Sequence, residues 1–149
     1  MKTDRDLQPA LSAAQNQIGL IFSTSDSLDG KALAILGFDV AIGIFGVQAN
    51  LDNSLWLLVP IFGLLIISLL ISIFTILPRD YMGAVVNLDD HPEYFEFSSE
   101  ELVIQLLANS QEAIAHNSLL NVRKTRYCLA AILTGLLATA GIIGCIIQV

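Results

Sequence analysis

One uninterrupted apolar stretch, residues 55–77, limits what this chain can fold into more than any other feature of the sequence. It holds 23 residues and no charged side chain. A helix of this length rises to roughly 34 Å at about 1.5 Å per residue, enough to cross a hydrocarbon layer of about 30 Å. Pro60 and Gly63 do not prevent this, because transmembrane helices tolerate both residues. The stretch predicts a membrane-spanning helix and therefore an integral membrane protein.

A second apolar run lies just before this span, at residues 32–49, and carries a single charge, Asp39, near its middle. Only residues 50–53, Asn-Leu-Asp-Asn, separate the two runs, and Asn and Asp are turn-forming residues. Because the next span begins at once, residues 31–77 are predicted to form a tight transmembrane hairpin.

The N-terminal segment, residues 1–30, is predicted to contain a cytosolic helix. Its apolar residues recur at spacings of three and four, and the spacing continues in phase into the first span: Leu11, Ala14, Ile18, Ile21, Leu28, Ala32 and Ile35. Such a narrow seam suits one partner helix. The Ser- and Asp-containing residues 23–27 leave open whether this helix breaks before the first span or continues into it.

The third helix has the clearest start. Ser98 and Glu101 form a capping-box pattern, and no Pro or Gly interrupts residues 100–134. A polar link over residues 78–98 is therefore followed by one long helix over residues 99–149, which begins in the cytosol and becomes the third span. The predicted fold class is all-α, with three membrane spans and with cytosolic helices at the N-terminus and before the third span.

The basic residues indicate the orientation in the membrane. All seven Lys and Arg residues fall on one side when three spans are threaded, whereas the opposite loop contains only Asp52. This asymmetry predicts a cytoplasmic N-terminus and an outside C-terminus. Five basic residues lie at the expected membrane interface: Lys31, Arg79, Arg123, Lys124 and Arg126. Headgroup contact is the simplest role of the last three, with recognition of a phosphate-bearing ligand as the alternative.

Asp39 is the strongest candidate for a functional residue. A carboxylate near the bilayer centre costs a few kcal/mol or more, so such residues usually face a bundle interior or water. Hydroxyl groups at a similar depth are its candidate partners: Ser68, Thr134 and Thr139. Three interpretations stay open. Asp39 is protonated and hydrogen-bonded between helices, it lines an oligomeric pore or ion site, or it snorkels from a tilted, shallow span.

Small residues mark the faces on which helices are expected to pack. The first span has Gly37 and Ala41 four residues apart, and the third has Ala131, Gly135 and Ala138. Small side chains let helix backbones approach closely in membranes. Packing within one chain and self-association both account for this pattern, and the two are compatible.

Several function classes are disfavoured by the sequence. The net charge of −7 argues against nucleic acid as a partner. The chain has no P-loop, GxSxG, HExxH or GxGxxG motif and no recognisable nucleophile–base pair or metal-ligand spacing. We therefore predict a protein that is not an enzyme and needs no metal or cofactor.

Two short patterns resemble a known family of small bacterial membrane proteins. The first is Asp29-Gly30-Lys31-Ala32 running into Leu36-Gly37, at the entrance of the first span. The second combines Leu106-Leu107, Ala113, Asn117 and Lys124 before the third span. Together with the tight hairpin they resemble the Pycsar transmembrane effectors, and the layout is similar to that of the SLATT effectors.

This resemblance implies a defence effector of the inner membrane that forms homo-oligomers and compromises the bilayer after a cyclic nucleotide signal. The chain departs from that pattern because its cytosolic residues offer no separate nucleotide-binding domain. Our first hypothesis is a non-enzymatic oligomer that forms or gates a pore under the control of its cytosolic helices. The alternatives are a membrane-anchored adaptor whose helical stalk docks a partner, and a small ion or proton carrier that uses Asp39.

Overall fold

The computed structural model describes residues 4–48, 55–83 and 96–147. It contains three helices, α1 (Asp4–Gln48), α2 (Leu55–Ile76) and α3 (Ser99–Ile147). Each is long and apolar enough to cross a membrane. The predicted fold class, all-α with three candidate spans, is confirmed.

Helix α1 runs for 45 residues without a break, which answers the question that residues 23–27 left open. Their side chains do not cap a new helix. Thr24 Oγ1 donates to the carbonyl of Leu20 at 2.8 Å within the same helix, and Ser25 is buried. The predicted N-terminal helix and the first span therefore form one continuous helix.

Helix α3 is continuous over 49 residues, as predicted. Its capping box is present: the main-chain N–H of Ser98 donates to Glu101 Oε2 at 2.9 Å, and that of Glu101 donates to Ser98 Oγ at 3.4 Å. Residues 78–83 before it are not helical. The hairpin turn at residues 50–53 and most of the link at residues 78–98 lie outside the described residues and stay predictions.

The buried side chains of all three helices recur at spacings of three, four or seven residues, a period close to 3.5. This is the spacing of knobs-into-holes packing between supercoiled helices. We call each of these rows a seam. The seam of α1 includes Ala14, Ile18, Ser25, Leu28, Ala32 and Asp39, and that of α2 includes Ile61, Leu65, Ser68, Ser72 and Thr75. The seam of α3 includes Val103, Ser110, Ala113, Asn117, Asn121, Lys124, Cys128, Ala131, Ala138 and Ile142.

The chain divides into two compact units. The first unit combines Met1–Ser25 with Arg79–Val122, and the membrane unit combines Asp26–Pro78 with Arg123–Val149. The membrane unit has an apolar core of four buried residues, Ile61, Leu65, Ala138 and Ile142. Close approach of α2 and α3 there depends on Gly141, because a Cβ at this position would lie 2.9 Å from Ile61 Cγ1.

Candidate functional site: a buried carboxyl in the membrane unit

Asp39 lies on the seam of α1 and is only 1% exposed. It follows Ile35 by four residues, so the same periodicity that buries apolar side chains also turns this carboxyl inward. The carboxyl packs against the main chain of α3 at Gly135. A Cβ on Gly135 would lie 2.7 Å from Asp39 Oδ1 and 3.3 Å from Ser68 Oγ. Three of the residues singled out in the sequence, one from each helix, therefore meet at one place.

The hydroxyl groups around Asp39 are directed elsewhere. Ser68 Oγ donates to the carbonyl of Ala131 at 2.9 Å. Thr134 and Thr139 donate within α3, each at 2.9 Å to a carbonyl four residues earlier. Among the residues that the structure describes, neither carboxyl oxygen of Asp39 has a hydrogen-bond partner. Of the three predicted hydroxyl partners, Ser68 lies beside the carboxyl, and its donated hydrogen bond goes to the main chain.

Two apolar grooves flank the Asp39 carboxyl. One, of about 450 Å³, lies between α1 and α2 and includes Val40, Ile44 and Phe62 in its lining. The other, of about 250 Å³, lies between α1 and α3. Asp39 lines both grooves, whereas its two carboxyl oxygens are buried between the helices.

This environment is costly for a charged carboxylate. Burying an ionised group without a compensating partner costs several kcal/mol, and the penalty is largest in hydrocarbon. Ser72 Oγ, one turn after Ser68 on the seam of α2, is also buried without a hydrogen bond to any described residue. The membrane unit therefore holds two buried polar side chains, Asp39 and Ser72, with atoms that form no hydrogen bond to any described residue.

A second polar contact in the membrane unit joins α1 to α3. Lys124 Nζ donates to both carboxylate oxygens of Asp29, at 2.7 and 2.9 Å. The Lys124 side chain is 3% exposed and that of Asp29 is 29% exposed. Lys124 is therefore paired with Asp29 within the chain, and its predicted contact with lipid headgroups stays a prediction. The sequence signal for the burial of Lys124 was its position on the α3 seam, seven residues after Asn117.

The other basic residues are placed differently from Lys124. Lys31, Arg123 and Arg126 are exposed, and Arg79 is half-buried. Their predicted contacts with lipid headgroups stay predictions.

The small residues fall into two groups. Ala131, Gly135 and Ala138 are buried and pack inside the chain, whereas Gly37 and Ala41 are exposed. A Cβ on Gly37 would meet no described atom within 4 Å. The pair on α1 is thus open to a neighbouring molecule.

In the first unit, residues 79–83 form a short strap that is bound to both helices. Tyr81 is the main contact. Its hydroxyl donates to Asn121 Oδ1 at 2.8 Å and accepts a hydrogen bond from Ser25 Oγ at 3.0 Å. The Asn121 amide donates to the carbonyl of Ile21 at 2.9 Å. The Tyr81 ring also packs against Phe22, with centroids 5.6 Å apart.

The strap is held at a second point by main-chain contacts. The side chain of Asn117 accepts from the N–H of Met82 at 2.9 Å and donates to its carbonyl at 2.8 Å. This is the pairing that a neighbouring strand would make, and it is supplied here by one buried amide. Sequence reasoning did not find the strap, because residues 79–83 carry no periodic pattern.

Comparison with protein families gives one result that covers most of the chain. A family model described as the Pycsar effector protein domain matches residues 13–149. Asp29 and Lys124, which belong to the two short patterns noted in the sequence, are the residues that form the ion pair between α1 and α3. Neither curated proteins nor solved structures gave a significant match.

Proposed function

This chain belongs to the Pycsar effector family of antiphage membrane effectors, and we propose that copies of it assemble into a pore in the inner membrane. Proteins with this domain are typically non-catalytic, so the proposed activity is permeabilisation rather than a reaction. We further propose that the N-terminus is cytoplasmic and the C-terminus outside, as the basic residues predict.

The observation that carries this proposal is the Asp39 carboxyl. It is buried among three helices whose outward side chains near it, such as Phe38, Val40 and Ile66, are apolar, and no described residue completes its hydrogen bonding. A polar group this costly is retained in membrane helices mainly where it serves ion or proton movement or helix association. Assembly of several copies would let the polar seams share an aqueous path and relieve that cost.

The exposed pair Gly37 and Ala41 supports association between copies. Both lie on α1 and face away from the core of the membrane unit. Small residues four apart on a lipid-facing surface allow another helix to approach closely. The small residues of α3 are less suited to this contact, because Asp39 and Ser68 of the same chain already pack against Gly135.

We propose that the strap in the first unit contributes to the control of assembly. Pycsar effectors respond to cyclic nucleotide signals. Three buried side chains, Asn117, Asn121 and Ser25, hold the strap through hydrogen bonds. Buried polar groups that lose a partner are costly until water or another partner replaces it. A signal or protein partner that displaces the strap would free these polar groups and change the packing of α1 and α3.

The direct test uses the full chain reconstituted into liposomes that contain a small fluorescent dye. Dye release should rise more steeply than the protein-to-lipid ratio, and the solubilised particle should exceed the mass of one chain. Each experiment is run alone and with the 3′,5′-cyclic nucleotides of adenine, guanine, cytosine and uracil. A monomeric particle and intact liposomes under all these conditions would refute the proposal.

Variants at two exposed glycines separate assembly from folding. Gly37→Leu should reduce both particle mass and dye release, because the larger side chain would hold the helices of two copies apart at the proposed contact. Gly144→Leu is the matched control, since its Cβ also meets no described atom within 4 Å. Equal effects of the two substitutions would show that Gly37 does not lie in the contact between copies.

The adaptor function is favoured by a different observation. In the first unit α3 exposes Ile104, Leu119 and Val122 at 51–56%. Leu119 and Val122 lie one turn apart, and neighbouring exposed apolar side chains are candidates for a protein-binding site. An adaptor predicts that affinity purification of the full chain recovers one dominant partner and that reconstituted liposomes stay intact. Recovery of the chain alone, with dye release, would favour the pore.

A further inference from the structure

The polar groups of the membrane helices are concentrated on their seams. In residues 32–48, 59–77 and 127–147 the fully buried polar side chains are Asp39, Ser68, Ser72 and Thr75. Large outward residues of the same segments, such as Phe38, Ile66 and Leu133, are apolar. Water in a membrane needs polar partners, and apolar constrictions exclude it. An aqueous path through these helices would therefore follow the seam faces.

Asp39 is the only charged residue in those three segments. Lys31 precedes it by eight residues, roughly 12 Å along α1. Lys124 precedes Gly135, which contacts the Asp39 carboxyl, by eleven residues, roughly 16 Å along α3. Lys124 is also bound to Asp29. The negative charge that Asp39 would bring to a water-filled path is thus not balanced by a cation at the same depth.

We infer that Asp39 is the ion-selectivity residue of the assembled pore and makes it conduct monovalent cations in preference to anions. The inference rests on the proposed pore. One Asp39 from each copy would place a ring of carboxylates around the path, and acidic rings select cations in other channels. In a single chain both carboxyl oxygens are buried, so the carboxyl reaches the path when assembly separates the seam faces of its three helices.

The experiment measures the reversal potential of the full chain in planar bilayers under a KCl gradient. The wild-type protein should favour K⁺ over Cl⁻ by about tenfold, a preference that requires only about 1.4 kcal/mol. Asp39→Asn has nearly the same volume and should bring the permeability ratio close to one. Asp39→Glu keeps the charge and should keep the preference for K⁺. Leu70→Ala, at a 50% exposed position on α2, is the control and should leave the ratio unchanged.

The outcomes distinguish this inference from the function on which it rests. Absence of any wild-type conductance refutes the pore and the selectivity together. A wild-type pore with no preference, or with a preference for Cl⁻, refutes the role of Asp39 and leaves the pore standing, whether or not the variants fold. Retained selectivity in Asp39→Asn with unchanged particle mass has the same meaning.

Discussion

The contact between Asp39 and Gly135 yields a prediction whose size follows from the geometry. In Gly135→Ala the new Cβ would lie 2.7 Å from Asp39 Oδ1 and 3.3 Å from Ser68 Oγ. Carbon–oxygen contacts of this kind lie at roughly 3.3–3.6 Å, so Oδ1 must retreat by roughly 0.6–0.9 Å. Ser68 crowds the same space and is held by its hydrogen bond to Ala131. Both side chains are fully buried, which leaves them little room to move.

Overpacking of this kind costs about 1–3 kcal/mol. Replacing a helical glycine with alanine gains up to about 1 kcal/mol from helix propensity, which partly conceals the cost. Gly144→Ala in the same helix makes no such contact and serves as the reference. Gly135→Ala should therefore be less stable than Gly144→Ala by about 1–3 kcal/mol when unfolding is followed by circular dichroism in detergent.

A double-mutant cycle identifies the cause of that loss. Asp39→Ala removes the carboxyl, so Gly135→Ala should cost much less in that background, with a coupling energy of about 0.5–3 kcal/mol. Additive effects would show that Asp39 is not the group that alanine displaces. Equal stability of Gly135→Ala and Gly144→Ala would refute the close approach itself.

Three further predictions concern polar contacts outside the Asp39 site. Asp29→Asn leaves Lys124 buried without its counter-charge and should lower stability by about 2 kcal/mol, less than the 3–5 kcal/mol of fully buried pairs because Asp29 is 29% exposed. Tyr81→Phe removes the hydroxyl that joins two helices and should cost about 1–2 kcal/mol and speed amide exchange at residues 79–83. Hydrogen bonds from Ser98 lower the pKa of Glu101, so the start of α3 should lose protection from amide exchange as pH falls through that lowered pKa.

Each of these has an internal control. Lys124→Met removes the charge that is hard to bury and should stay within about 1 kcal/mol of wild type, so equal losses from both ion-pair variants would contradict the argument. Unchanged exchange in Tyr81→Phe would mean that other contacts hold the strap, such as those of Asn117 with Met82 and of His116 with the Asp80 carbonyl. The hydrogen bonds between Ser98 and Glu101 stabilise the start of α3 at pH values above the ordinary pKa of a glutamate. This is because the pKa of Glu101 is lower in the folded chain than in the unfolded chain. In Ser98→Ala the pH dependence should therefore weaken, because only the main-chain hydrogen bond to Glu101 remains.

The sequence by itself determined the class and the elements of this protein. Twenty-three residues without a charge require a helix in lipid, because no other local structure satisfies its own main chain there. The seam of α1 and the start of α3 were also readable, since the spacing of apolar residues and the Ser98–Glu101 pair act within one helix. The family resemblance was visible in short patterns that the family comparison confirms over residues 13–149.

Only the tertiary structure decided which polar residues meet. Lys124 looked like its neighbours Arg123 and Arg126, yet the phase of α3 turns it toward Asp29, a residue 95 positions earlier. Asp39 was recognised as important, but its contact with Gly135 depends on the relative rotation of two helices. Sequence periodicity specifies which face of a helix is buried and not which partner it meets, because that choice depends on the packing of all three helices together.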